Sequence, residues 1–268
     1  MAENIDSLEV ALCYDLATAT HQGARAYQED TLQAQKAEGE NTCVAVVADG
    51  LGGHAAGDVA SGIACAEVFR QITTQPAKIA AGQVAITDVL TQATQSANAL
   101  VGAHAKAHDE TYGMGTTLLA TVIRDGALSW LSVGDSPLFL CRDGALQRLN
   151  ADHSMAPQID MLVKIGALSE QEGRDHPSRS TLASVIRGRE IETVDCPENP
   201  TRICAGDVII VSSDGLLYLP EHQICDILAQ TRLQPAQATA DALLAALETL
   251  DDPEQDNIAF AVIKCAQV

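Results

Sequence analysis

The sequence is short of aromatic and basic residues, of paired cysteines and of long apolar runs. One Trp, four Tyr and three Phe in 268 residues amount to 3%, too few for the stacking platforms on which proteins hold single-stranded nucleic acid. Only 16 Lys and Arg stand against 36 Asp and Glu, and the resulting formal net charge of −20 repels phosphate backbones and anionic lipid surfaces. No nucleic-acid or membrane partner is therefore expected. The eight cysteines (13, 43, 65, 141, 196, 204, 225 and 265) contain no C-x-x-C pair and read as small buried hydrophobes of a reducing compartment. MAENIDSLEV lacks the basic and apolar regions of a signal peptide, and no run of about 18 uncharged apolar residues follows. A soluble, cytoplasmic protein is the expectation.

What is present is a globular composition, 47% hydrophobic and 19% charged, with chain enough for a sizeable core. No Gly/Ser/Pro linker, composition shift or fixed-period repeat divides it, so residues 1–268 read as one domain. Apolar runs bounded by turn residues predict strands near 9–20, 30–36, 43–48, 115–124, 127–133, 137–141, 145–149, 190–196, 207–212 and 257–265. Asp125-Gly126 and Asp143-Gly144 each stand between two such runs, the signal of an antiparallel hairpin. Helical spacing follows Gly57, runs from about 83 to 107, where Ile86, Leu90, Ala93, Ala97, Leu100 and His104 would share a face, and returns from Pro235 to about Leu250. These patterns predict an α+β fold with antiparallel sheets covered by helices. The polar, irregular segment from about 155 to 189 is an excursion from that core, with a short helical patch at Met161 to Ile165.

The chemistry lies where the buried strands end. VAVVADG closes on Asp49, LSVGD on Asp135 and VIIVSSDG on Asp214; Asp256-Asn257 opens the last strand and Glu29-Asp30 an early one. A carboxylate at the end of a buried apolar strand is costly unless hydrogen-bonded or bound to a cation. Asp-Gly and Gly-Asp are also ordinary turn dipeptides, but strand ends converge, and acids distant in sequence can supply the hard oxygens preferred by Mg²⁺ or Mn²⁺. Other readings fit less well. Gly50-x-Gly52-x-x-Ala55 is a loose dinucleotide fingerprint, yet Asp49 before it would repel a pyrophosphate and no βαβ unit follows. His104 and His108 have a spacing that can bind zinc, although His104 continues an apolar face. No phosphate-loop motif occurs, and Ser132, Ser212 and Ser213 lack the setting of a hydrolase nucleophile.

The segments GARAYQED (Gly23–Asp30), VVADGLGGHAAGDVAS (Val46–Ser61), GMGTT (Gly113–Thr117), SVGDS (Ser132–Ser136), DHS (Asp152–Ser154), SSDGL (Ser212–Leu216) and QDNIA (Gln255–Ala259) occur in the order and spacing of the metal-dependent PP2C-type (PPM) serine/threonine protein phosphatases, and the chain resembles their bacterial branch from about residue 9 to 265. The resemblance implies an α-β-β-α sandwich of two antiparallel sheets flanked by helices. It implies hydrolysis of phosphoserine and phosphothreonine in proteins by a water between two Mn²⁺ or Mg²⁺ ions. Asp49 would bridge both ions, the Gly50 carbonyl would bind the first, and Asp214 and Asp256 would complete the second. Glu29 and Asp30 would hold waters on the metals, with Asn257 beside them, and Arg25 would grip the substrate phosphate. Asp135, with Asp214, matches the pair that holds a third, weaker ion. Phosphorylated proteins are the implied substrates and a serine/threonine kinase the implied partner. Such charge stabilisation suits a phosphate monoester, among the slowest biological bonds to hydrolyse.

The sequence also departs from the family pattern. Leu51 stands where many members outside bacteria have a histidine suited to protonate the leaving alcohol, so that role is expected to fall to a water. Pro137 replaces an arginine usual after Gly-Asp-Ser, and Gln28 an asparagine. The stretch LVKIGALSEQEGRDHPSRSTLASVIRG (162–188) resembles a mobile flap whose His176 and Arg179 either meet phosphoprotein or simply shape the loop. A catalytically weak relative that binds phosphoprotein as a regulator is the alternative function. The seven motifs, the aligned acids and Arg25 favour the enzyme.

Overall fold

Asp125-Gly126 and Asp143-Gly144 turn the chain back on itself in the computed structural model, which describes residues 12–37, 41–52, 56–74 and 84–267. The two aspartates have φ of 48° and 52° and the glycines 76° and 81°, the consecutive left-handed residues of a tight two-residue hairpin. The strands are β1 (Leu12–His21), β2 (Thr31–Lys36), β3 (Thr42–Ala48), β4 (Gly50–Leu51), β5 (Gly115–Thr116), β6 (Leu118–Arg124), β7 (Ala127–Val133), β8 (Leu138–Arg142), β9 (Ala145–Arg148), β10 (Thr201–Arg202), β11 (Val208–Ser212) and β12 (Ile258–Gln267). They form one sheet in the order β1-β12-β11-β8-β9, a second in the order β10-β7-β6-β3-β2, and the small pair β4-β5.

The continuous apolar strands are explained by burial of both faces. In β3, Cys43, Ala45 and Val47 point into the layer between the sheets, where they meet Leu119, Trp130, Leu138, Ile209 and Ile263. The alternate residues Val44, Val46 and Ala48 face α1 (Gly57–Thr73) and α2 (Ile86–Ala107). β12 divides likewise, Ala261, Ile263 and Cys265 inward, Ile258, Phe260 and Val262 outward. Beyond α3 (Ala156–Lys164) and α4 (Glu170–Arg174), the outer residues of β12 are covered by α5 (Glu221–Gln230) and α6 (Ala236–Glu248). A period of two thus fills three apolar layers and gives the expected α-β-β-α order.

Some expectations need correction. The run at 190–196 forms no strand; it makes only an isolated bridge between Asp195 and Ser132, and the short edge strand is β10. The run at 115–124 is broken at Thr117, whose N–H goes to Asp49 instead of a ladder partner. On α2 the buried face runs through Val89, Leu90, Ala93, Ala97 and Val101, while Leu100 is exposed. α5 was missed, although Ile224, Ile227 and Leu228 have the spacing of one buried face. Cys204 is exposed, against the general reading of the cysteines. His104 and His108 stack with ring centroids 4.3 Å apart. The expected start of the first strand, at 9–11, lies outside the described residues.

The excursion carries α3 and α4, the latter begun by a reciprocal cap between Ser169 and Glu172. Arg179 is bound to Asp160 at 2.7 Å and His176 Nδ1 accepts the Ser178 N–H at 3.2 Å, so both side chains are engaged in shaping this segment. It returns to the sandwich through Ser154↔Leu182 and Thr116↔Ile186.

Candidate metal centre

Strand register brings the acids to one end of the sandwich. Thr31 lies opposite Ala48, so Glu29-Asp30 and Asp49 adjoin. Ser212 lies opposite Phe260 and His21 opposite Ile258, which gathers Asp214, Asp256-Asn257 and the loop carrying Arg25. Leu118 lies opposite Val133, adding the Gly134-Asp135 turn.

The backbone around each acid is fixed by side chains. The Asp49 N–H donates to Thr117 Oγ1 at 3.0 Å, while its carbonyl accepts from Thr116 Oγ1 at 2.7 Å and from the Thr117 N–H at 2.9 Å. Asn257 Oδ1 accepts the Glu29 N–H at 2.7 Å, and its Nδ2 donates to the carbonyls of Gln22 and Tyr27 at 2.7 and 2.9 Å, tying down the whole Arg25 loop. Gln28 Oε1 accepts the Asp30 N–H at 3.0 Å, the structural use of the glutamine that departs from the family pattern. The Gly50 N–H reaches the Glu29 carbonyl at 3.2 Å. No side chain fits at Gly57, since a Cβ there would lie 2.8 Å from the Gly50 backbone carbonyl carbon. Thr116 and Thr117 stood within a recognised motif but had no assigned role; their signal was the GMGTT segment itself.

The Arg25 guanidinium, half exposed, holds Asp256 Oδ2 at 2.7 Å. Near Asp135, Arg148 Nη2 donates to the Asp135 carbonyl at 2.7 Å. Pro137 fits where it stands, its carbonyl accepting the Ser212 N–H at 3.1 Å. Leu51 is paired with Gly115 in the small sheet and carries no group able to donate a proton.

Crowding of these carboxylates raises their proton affinity. Burial, followed by the charges of Asp30 and Asp214, drives Asp49 well above the ordinary carboxylate range. Burial and the Asp214 charge push Asp30 up to about 7 and Asp135 also to about 7. Burial and the Asp256 charge bring Asp214 to about 6. Such a cluster needs protons or cations to persist.

The donor set fits hard divalent ions. Buried oxygens Glu29 Oε1, Asp30 Oδ2 and Asp214 Oδ1 have no hydrogen-bond partner among the described residues, and every candidate ligand is oxygen, the preference of Mg²⁺ and Mn²⁺. Among the described residues no three His, Cys, Asp or Glu side chains already form a closed cage; Asp256 is held by Arg25 in this arrangement.

Comparison with known proteins agrees with the fold. The family model for protein phosphatase 2C matches residues 18–259. The serine/threonine phosphatase stp of Listeria welshimeri is 32% identical over 197 residues, covering 72% of this chain and 74% of that protein. The crystal structure of the Mycobacterium tuberculosis serine/threonine phosphatase PstP/Ppp superposes with a TM-score of 0.76 at 27% identity, over 95% of this chain and 99% of that one. The catalytic domain of PstP, solved with two manganese ions, gives a TM-score of 0.76 at 25% identity over 96% and 100% of the respective chains. The chain belongs to the PP2C family of protein phosphatases.

Proposed function

We propose that this protein is a metal-dependent phosphatase that removes phosphate from phosphoserine and phosphothreonine in proteins, and that residues 1–268 act as one phosphatase domain. The observation that carries the reading is the meeting of Asp49, Asp214, Asp256, Glu29 and Asp30 at one rim, with unpartnered buried oxygens and Arg25 among them. Two Mn²⁺ or Mg²⁺ ions would be held by Asp49 and the Gly50 carbonyl on one side, and by Asp49, Asp214 and Asp256 on the other. Asp135 with Asp214 would hold a third, weaker ion. When bound, the ions would neutralise phosphoryl charge and lower the pKa of a coordinated water.

The chain's own groups supply the rest. Arg25 offers two parallel N–H donors to phosphate oxygens, a bidentate fit that lysine lacks. Glu29 and Asp30 accept hydrogen bonds from ordered water at the rim, and Asn257 keeps Glu29 and the Arg25 loop in register. Thr116 and Thr117 fix the Asp49 peptide, so its carboxylate is aimed before substrate arrives. Leu51 provides no acid, so the proton for the leaving alkoxide comes from water.

No described helix is long and apolar enough to cross a membrane. The proposed setting is the cytoplasm, with a serine/threonine kinase as the opposing enzyme. The alternative is a catalytically weak relative that binds phosphoprotein as a regulator. Hydrolysis of a phosphothreonine peptide in Mn²⁺, Mg²⁺ and EDTA decides between them: metal-dependent turnover supports the enzyme, and tight phosphopeptide binding without turnover supports the regulator.

A further inference from the structure

His153 is a buried histidine that the proposed chemistry leaves unused. It is 6% exposed, and it grips the turn before Asp135 from both ends. The Gly134 N–H donates to its ring Nδ1 at 3.2 Å, and the His153 backbone N–H donates to the Gly134 carbonyl at 3.1 Å. Because Nδ1 accepts, the ring proton sits on Nε2, which has no partner among the described residues. An apolar side chain of similar size could fill the space, but it would leave the buried Gly134 N–H without an acceptor.

The turn has no slack to absorb that loss. Gly134 has φ of +103°, and a Cβ on it would lie 2.7 Å from Thr117 Cγ2. Arg148 holds the next carbonyl, that of Asp135, at 2.7 Å and reaches Asp152 Oδ2 at 3.1 Å. The Asp135 peptide is therefore enclosed by Thr117, Arg148 and the His153 ring. His153 is also the point at which the flap-like excursion is tied to the core. Its carbonyl accepts the Ala183 N–H at 2.7 Å, the Met155 N–H goes to the Thr181 carbonyl at 3.0 Å, and Ser154 bridges Leu182.

We propose that His153 is a positioning residue that acts through Gly134 to hold Asp135 in the geometry its cation requires, and that joins this turn to the base of the flap. The inference rests on the assignment of a third, weaker ion to Asp135. It concerns the δ-nitrogen as a neutral acceptor. Asparagine places an acceptor at a similar distance from its backbone, glutamine places it one carbon further out, and leucine has none.

Mn²⁺ binding to the full chain, followed by calorimetry and by counting bound ions, tests it with Asp135→Asn as the reference. Wild type should bind two ions tightly and one more weakly, and Asp135→Asn should lose the weak one alone. His153→Leu should weaken that ion about tenfold without changing the tight pair, His153→Asn should restore it, and His153→Gln should not. Wild-type binding of the weak ion by His153→Leu, with its loss in Asp135→Asn, overturns the positioning role and leaves the Asp135 assignment standing. Retention of the third ion by Asp135→Asn overturns that assignment instead. Where His153→Leu fails to fold, the Asn and Gln variants carry the test, and equal weak-ion binding by the two overturns the proposal.

Discussion

Arg25 Nη2 lies 2.7 Å from Asp256 Oδ2, so the residue assigned to substrate phosphate is paired with one assigned to metal. The pair is substantially exposed, so its contribution to stability is small; its consequence is for binding order. A cation at Asp256 and a phosphate at Arg25 each compete with the pair, and either one frees a group for the other. Arg25→Ala is expected to lower kcat/KM by about ten- to a hundredfold, through loss of a bidentate phosphate contact, while Mn²⁺ binds at least as tightly as in wild type. Weakened Mn²⁺ binding in a titration of Arg25→Ala would mean that Arg25 supports the metal site rather than the substrate.

The raised carboxyl pKa values set the pH dependence of the metal-free protein. Asp30, Asp135 and Asp214, at about 7, 7 and 6 against an ordinary 3.8, hold protons in the folded state that the unfolded chain has released. Their contribution is fully present below the unfolded value and is lost as pH rises through about 6 to 7. In EDTA the Tm is expected to fall from about pH 5 to about pH 7.5, and Mn²⁺ should raise it more at the upper end than at the lower. A Tm in EDTA that rises across this window contradicts the crowded-acid account.

Gly102 on α2 and Gly188 after the excursion meet backbone to backbone. A Cβ on Gly102 would lie 2.5 Å from the Gly188 Cα, one on Gly188 would strike the Gly102 Cα, and Gly188 has φ of +74°. Asn98 locks the same contact, its Oδ1 accepting the Arg187 and Gly188 N–H groups at 3.1 and 2.8 Å and its Nδ2 donating to the Arg189 carbonyl at 2.6 Å. Gly102→Ala is expected to cost about 1 to 3 kcal/mol by overpacking. Gly188→Ala should cost more, because it adds backbone strain. Chemical denaturation of the two variants checks the order, and equal, negligible losses would show that the contact can open freely.

The features legible in the sequence were those governed by local rules. Asp125-Gly126 and Asp143-Gly144 announced their hairpins because positive φ at two consecutive residues demands such types. The Val46–Asp49 and Val208–Asp214 runs announced strands ending in acids. The run near 190–196 misled because its alternating residues find no ladder: Asp195 instead spends its side chain on the Trp130 indole at 3.0 Å and the Ala151 N–H at 2.9 Å. α5 escaped because a ten-residue helix offers little periodic signal. The supports of the site were hidden for another reason. Thr117 and His153 act on Asp49 and on the Asp135 turn from other strands and loops, and nothing in their own neighbourhoods announces those partners.

Asp214 and Asp256 should both be needed for turnover because each is assigned to the second ion, Asp214 being assigned to the third as well. Asp214→Ala and Asp256→Ala are each expected to lower kcat by about a hundredfold or more. Removing one of several mutually repelling acids should leave the Tm in EDTA unchanged or higher. A Tm that drops sharply in EDTA for either variant would mark that acid as a structural residue.

The most direct test of the whole account is phosphothreonine-peptide hydrolysis by wild type and Asp214→Ala in saturating Mn²⁺, in EDTA and after Mn²⁺ is restored, with bound ions counted in parallel. The account predicts turnover by wild type in Mn²⁺, its loss in EDTA and its return, with at least two ions bound, and near-abolished turnover by the variant. Wild-type turnover in EDTA, or turnover by Asp214→Ala equal to wild type at saturating Mn²⁺, would contradict it.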